Sequence, residues 1–488
     1  NQATLNVQNG SAIGGAGVGN TATTNGGGIF NQAGTTTVDT STVSANAATD
    51  GGGIYNQAAL NVQNGSAIGQ AGAGNNATNQ GGGIYSDNTG TTTVVSSAVH
   101  GNTAEIGGGG IYNDTSSTTT VDASTVSANV AGWGGGIASL NATLNVQNGS
   151  TIGGAGGGNT ATAAGGGGLY NSGVNGTVTV DASRVSANTA ENGGGIINWW
   201  GVLNVQNGST IGGVGSGNTA TNHGGGIYNA NGGTAIVVDS RILQNRAANG
   251  GAVYSNNASD GATTVTASCI VGNSDTAFFN YQVQQQIATG DWWGAATGPN
   301  TPGADTVDGN VDTSGFLTAP ILGCTPDLQV TKANDTGGET TVGTPFHWTL
   351  TIGNAGLTHA VFNTGQEILV DELPAGPAYG APTVADLVNV TGGANIDCSI
   401  AGNSLTCEAK GGGVTVGTAG GFAVGFSVTP GEAGALSNPA GICQVDPDGN
   451  VTESDENNNC PTDTVEVTSH SIYLPLVVRN LGAPQSMG

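Results

Sequence analysis

The chain is poor in charge, and the charge it has is mostly of one sign. Only 8% of its 488 residues are Asp, Glu, Lys or Arg, with 32 acidic side chains against six basic ones, a formal net charge of −26. Six cations cannot neutralise a row of phosphates, which excludes nucleic acid as a partner. They are also a poor match for an anionic lipid surface. Long apolar runs are missing too. No stretch of 18 apolar residues occurs, so no membrane insertion is expected. Catalytic signatures are equally scarce. There is no GxSxG, no HExxH and no phosphate loop, since the glycine runs lack the Lys-Ser/Thr that a phosphate loop needs. Those runs also contain no aspartate, which removes the GGxGxD calcium repeat.

Cysteine is sparse and late, at 269, 324, 398, 407, 443 and 460. None forms a CxxC pair, which argues against zinc and thioredoxin-like chemistry. An even count suggests disulfides and an oxidising, extracellular setting. Local spacing favours Cys398–Cys407 and Cys443–Cys460, which leaves Cys269–Cys324.

Glycine is abundant, at 90 residues against a usual share of about 7%. It is organised by a repeat. One phrase, Leu-Asn-Val-Gln-Asn-Gly-Ser-x-Ile-Gly, starts at Leu5, Leu60, Leu144 and Leu203. Another, Thr-Val-Asp-x-Ser-x-Val-Ser-Ala-Asn, spans Thr37–Asn46, Thr120–Asn129 and Thr179–Asn188. Most copies run on to Gly-Gly-Gly-Ile-Tyr-Asn or a variant. Residue 1 falls in the middle of a copy, so processing or upstream sequence is expected.

Ten asparagines mark the period: Asn20, Asn46, Asn75, Asn102, Asn129, Asn159, Asn188, Asn218, Asn245 and Asn273, spaced 26 to 30 residues apart. Each copy holds about three short β-branched runs bounded by turn residues, which read as strands. Glycine this dense excludes helix. One copy cannot bury its own apolar face, so copies must stack. Stacking would align the asparagines in an amide ladder. It would also align Asp39, Asp122, Asp181 and Asp239 in one column, each separated from the next by glutamine or valine. That spacing avoids like charges face to face.

Gly-Gly-Gly-Ile-Tyr-Asn with Ser-Ala-Asn-Thr-Ala resembles the GGxI/N repeats of the polymorphic outer-membrane protein family. More broadly it resembles right-handed parallel β-helix surface proteins. Asp291-Trp-Trp-Gly-Ala-Ala-Thr-Gly-Pro299 resembles their closing segment, with Asp291 where asparagine is usual. The resemblance implies an all-β fold: a right-handed parallel β-helix of about ten coils over 1–322, closed at about 287–322. It implies a bacterial cell-surface location.

Past Cys324 the composition changes. Asp327–Lys332 and Phe346–Asn354 alternate as half-buried strands do, and further strands are expected near 368–370, 404–408, 422–428 and 464–467. This predicts an Ig-like β-sandwich over 325–468 with Trp348 in its core. "TLTIGNAG", "VDELPAG" and "VDPDGNVTESDENNN" are similar to CARDB-like and Ig-like modules of bacterial surface proteins. The remainder, 469–488, reads as a terminal extended strand: Ile472, Leu474, Leu476 and Val478 alternate with Tyr473 and its neighbours. Pro475 restricts that strand to an edge.

One cation site is an expectation. Asp446, Asp448, Asn450, Glu453 and Asp455 bring hard oxygen ligands into one loop, as Ca2+ requires. The alternative is a solvated acidic hairpin closed by Cys443–Cys460. No other cofactor is expected. Polysaccharide lyases and hydrolases need clustered carboxylates, often with Lys or Arg, whereas the repeats carry only Arg184, Arg241 and Arg246. The expectation is therefore a non-enzymatic, secreted structural protein. Its main partner would be itself, as subunits of a filament or layer joined head to tail by strand addition. An adhesin that binds glycan or surface protein is the alternative, and a polysaccharide-degrading enzyme the remote one.

Overall fold

In the computed structural model, residues 1–256, 261–274, 276–321, 323–453, 455–456 and 460–469 are described. The chain forms two compact units, Asn1–Thr325 and Pro326–Gly488. The expected terminal strand, with Ile472, Tyr473, Leu474, Leu476 and Val478, lies outside the described residues.

The first unit is a parallel β-solenoid of about eleven turns. A central turn runs Thr118–Asp122, Thr125–Ser127, Val130–Trp133 and Ile137–Leu140, then re-enters the first sheet at Thr143–Gln147. Thr118 pairs in parallel register with Thr143, Val121 with Val146, and Asp122 with Gln147. Four sheets of 12, 10, 7 and 11 strands result. Three strands per copy were expected, and the central turns have four. The extra strand points only alanine inward, as at Ala77, Ala104 and Ala131. Alanine carries little of the apolar periodicity that marks a strand.

Alternation builds the core. Thr118–Asp122 buries Thr119 and Val121 and leaves its other residues at the surface layer. Val121, Val126 and Ile111 come from three sheets and meet, fully buried, in one continuous cluster. Each such side chain contributes about 1.5–3 kcal/mol. The glycine triplets turn the corner before the fourth sheet. Gly108 has φ +63°, and a Cβ on Gly110 would lie 2.7 Å from the Gly136 carbonyl oxygen. A side chain there would push adjacent turns apart.

Residues after the inward isoleucine face outward, yet Tyr85 is 7% exposed. The reason is stacking. Tyr55 and Tyr85 rings lie 4.8 Å apart at 11°, and Tyr85 and Tyr112 lie 4.9 Å apart. Where the column has Ala138, Trp133 from the preceding strand fills the gap, 5.7 Å from Tyr112 and 4.9 Å from Tyr170. Trp293, fully buried, belongs to the solenoid core at its C-terminal turns.

The second unit is a β-sandwich. Leu328–Asn334, Phe346–Asn354, Val414–Thr429 and Ala360–Phe362 form one antiparallel sheet, which Thr383–Thr391 joins through Val414–Thr429. Ile396–Ala401, Ser404–Ala409, Glu367–Glu372 and Cys443–Val445 form another. Glu339–Thr341, Asp463–Thr468 and Gly434–Asn438 make a third. Trp348 is fully buried in the core of this unit, and its indole N–H donates to Asp463 at 2.7 Å.

Candidate functional site

The period of the repeat places one asparagine per turn in a single file. Asn129 Nδ2 donates to Asn159 Oδ1 at 3.0 Å, and the Asn129 backbone N–H donates to the same oxygen. Its second amide hydrogen goes to the Val99 carbonyl of the turn before. The series continues from Asn20 through Asn46, Asn75, Asn102, Asn129, Asn159, Asn188, Asn218 and Asn245 to Asn273, with Nδ2–Oδ1 distances of 2.7 to 3.0 Å. Each buried amide is thus satisfied on both sides, which removes the cost of burying it.

A serine file runs beside it, and the sequence reading did not single it out. The Ser124 backbone N–H donates to Ser150 Oγ at 3.1 Å, and Ser150 N–H donates to Ser183 Oγ at 3.2 Å. The Ser150 hydroxyl donates back to the Val121 carbonyl at 3.0 Å. The signal was present, because these serines recur in both repeat phrases.

Both files end on a carboxylate. Ser268 N–H donates to Asp291 Oδ1 at 2.8 Å. Asp305 accepts from Gly272 N–H at 2.9 Å and from the backbone N–H and Nδ2 of Asn273 at 3.1 and 2.8 Å. Burial pushes each carboxyl up to about 7, and these hydrogen bonds pull the other way. Asp305 enters from outside the repeat, so no periodic signal could have found it.

The outward aspartates are also engaged between turns. Gln63 Nε2 and Asn64 Nδ2 donate to Asp39 at 2.8 and 3.1 Å. Gln147 and Asn148 hold Asp122 at 2.7 and 2.9 Å, and Gln206 and Asn207 hold Asp181 at 2.9 Å each. The Tyr55 and Tyr85 hydroxyls donate to Asp87 and Asp114, both at 2.6 Å. Burial, then these carboxylates, push both phenols upward.

In the second unit the acidic loop is held by backbone amides. Asp446 accepts from Asn450 N–H at 3.0 Å and Val451 N–H at 2.7 Å. Glu453 accepts from Leu328 N–H, at the start of a strand, at 2.5 Å, and burial pushes its carboxyl up to about 7. Asp448, Asn450 and Asp455 are exposed, and the Asn450 side-chain oxygen accepts from Gln366. No group of three or more His, Cys, Asp or Glu fit for a metal occurs among the described residues. Disulfides join Cys269 to Cys324, Cys398 to Cys407 and Cys443 to Cys460.

No protein-family model matches the chain, and no curated protein matches it. Two solved structures are similar in part. One is the CARDB domain of the PF1109 protein from Pyrococcus furiosus, solved in complex with di-metal ions. It is 19% identical over 31% of this chain and 95% of that one, with a TM-score of 0.18. The other is a cohesin module from a Clostridium perfringens family 33 glycoside hydrolase, 14% identical over 30% of this chain and 99% of that one, with a TM-score of 0.21.

Proposed function

We propose that this chain is a non-enzymatic, secreted cell-surface protein, a structural subunit of an extracellular filament or layer. Residues 472–478 add as a strand to a sheet edge of the next copy. One observation supports the reading above others: five of the solenoid's outward carboxylates hold neighbouring turns together. Asp39, Asp122, Asp181, Asp87 and Asp114 each accept a hydrogen bond from a neighbouring turn. A hydrolase or lyase needs such groups free to move protons. The tail carries an alternating apolar pattern with a proline that limits it to an edge. Adding it to a different surface on the next copy makes a head-to-tail contact, the kind that propagates as a filament unless its rotation closes a ring.

Electron microscopy and sedimentation of the full chain test the reading. Fibres or sheets are expected, and deletion of 469–488 should leave single particles. Monodisperse monomers from the intact chain at every concentration would overturn it. Tight binding of a defined glycan by such monomers would favour an adhesin instead.

A further inference from the structure

Lys332 is one of only six basic residues in the chain, and its side chain is buried out of contact with solvent. It projects from Leu328–Asn334, and both it and the Asp371 side chain have 0% exposed surface. Its Nζ lies 2.9 and 3.0 Å from the two Asp371 oxygens and 2.9 Å from Oδ1 of Asn438. The three residues come from three different sheets, through Leu328–Asn334, Glu367–Glu372 and Gly434–Asn438. Asn438 is itself fully buried. The Asn438 side chain also faces Asp371, whose carboxyl its hydrogen bonding pulls down against burial. Asp463 also acts on the Lys332 charge, but its carboxylate is committed elsewhere, to the Trp348 indole and the Asn334 amide.

An amine, a carboxyl and a carboxamide held together in a dry core make an acyl-transfer site. We propose that Lys332 and Asn438 join through a spontaneous intramolecular isopeptide bond, with Asp371 as the acid–base catalyst. The Lys332 Nζ lone pair attacks Cγ of Asn438, whose oxygen already lies within hydrogen-bond reach. Protonated Asp371 donates to that oxygen as negative charge develops on it. Asp371 then relays a proton from Nζ to Nδ2. The Cγ–Nδ2 bond breaks and ammonia leaves, so a primary amine and a primary amide become one secondary amide and one ammonia. No oxidant or cofactor takes part, and Asp371 ends as it began.

The surroundings favour the reactive protonation states. Burial pushes the Lys332 amine down and the Asp371 carboxyl up, so the pair moves toward neutral amine and neutral acid. A buried ion pair is costly to keep, and the reaction replaces it with an uncharged amide. Nδ2, the atom that departs, belongs to the side chain that Asp371 already engages. The bond would tie residues 106 apart in sequence, a long loop whose closure restricts the unfolded chain.

Mass spectrometry of the intact, reduced full chain tests this. The expected mass is lower than the sequence mass by one ammonia, with a digest peptide joining the segments around Lys332 and Asn438. Lys332→Met and the near-isosteric Asp371→Asn should each restore the full sequence mass. A wild-type chain at full sequence mass overturns the proposal, whether or not the variants fold. So does an ammonia loss that persists in Lys332→Met, because that loss would arise elsewhere.

Discussion

Asn273 Nδ2 donates to Asp305 Oδ2 at 2.8 Å, and there the asparagine series ends. Every earlier member donates its backbone N–H and one side-chain N–H to the next asparagine. The last donates that pair to an acid, which accepts three hydrogen bonds and has no amide N–H of its own to place. A file of identical amides ends well on a side chain that offers acceptor oxygens and has no N–H of its own to place, and Asp305 is one. Asp291 plays the same part for the serine file.

This arrangement makes the solenoid sensitive to pH. Asp305 titrates near 7 in the fold, against 3.8 for an ordinary aspartate, because burial disfavours its charge. The folded state therefore binds more protons than the unfolded chain between those values. The stabilisation is complete below about 4 and declines as pH climbs to about 7. Its upper bound is on the order of 4 kcal/mol. Asp305→Asn abolishes this titration and loses the Gly272 bond, costing about 1 kcal/mol. The melting-temperature difference between wild type and variant should shrink steadily from pH 4 to pH 7. A difference that stays constant with pH would refute the assignment.

Within the asparagine file, cost should follow position. Asn159→Ala orphans the Asn129 backbone N–H and side-chain amide, both of which donate to Asn159 Oδ1. It also leaves the Val126 carbonyl without its Asn159 donor. Each buried orphan costs about 1–3 kcal/mol, so a loss of roughly 3 kcal/mol or more is expected. Asn20 is exposed, and Asn20→Ala should cost less than about 1 kcal/mol. Denaturant midpoints of the two variants check the gradient.

Cys269–Cys324 closes a loop of 55 residues at the C-terminal turns. Chain-entropy arguments give such a link roughly 4 kcal/mol. Reductant should therefore expose the segment after residue 290 to protease sooner than the central turns. Equal protection with and without reductant would show that packing of Trp293 already secures it.

The sequence made the solenoid legible because its period is carried by residues with strong individual signals. Asn129, Val126 and Gly110 recur in phase, and parallel stacking follows from them. The fourth strand was invisible because it buries only alanines such as Ala131. Asp305 was invisible for a different reason: a loop brings it to the file from outside any copy. In the acidic loop, composition showed the carboxylates but not what they bond. Asp446 accepts the Asn450 and Val451 N–H groups and Glu453 that of Leu328, and sequence does not show where an N–H points. Lys332, Asp371 and Asn438 stand far apart in the chain and meet only through the order of the sheets.

The aromatic column offers a test of repair within the repeat. Ala138 occupies the position held by Tyr112 one turn earlier and Tyr170 one turn later. Trp133 compensates by lying between those two rings. Gly107 makes room for it, since a Cβ there would fall 2.7 Å from the indole. Trp133 is half-buried, so Trp133→Ala should cost about 2 kcal/mol, below the range for a fully buried tryptophan. Ala138→Tyr alone should also destabilise, because the new ring meets the indole in space already filled. Together the two changes restore a continuous tyrosine stack. The double variant should be more stable than either single one, with a coupling energy of about 1–3 kcal/mol in a double-mutant cycle. Simple additivity would mean that Trp133 packs beside the column and does not complete it.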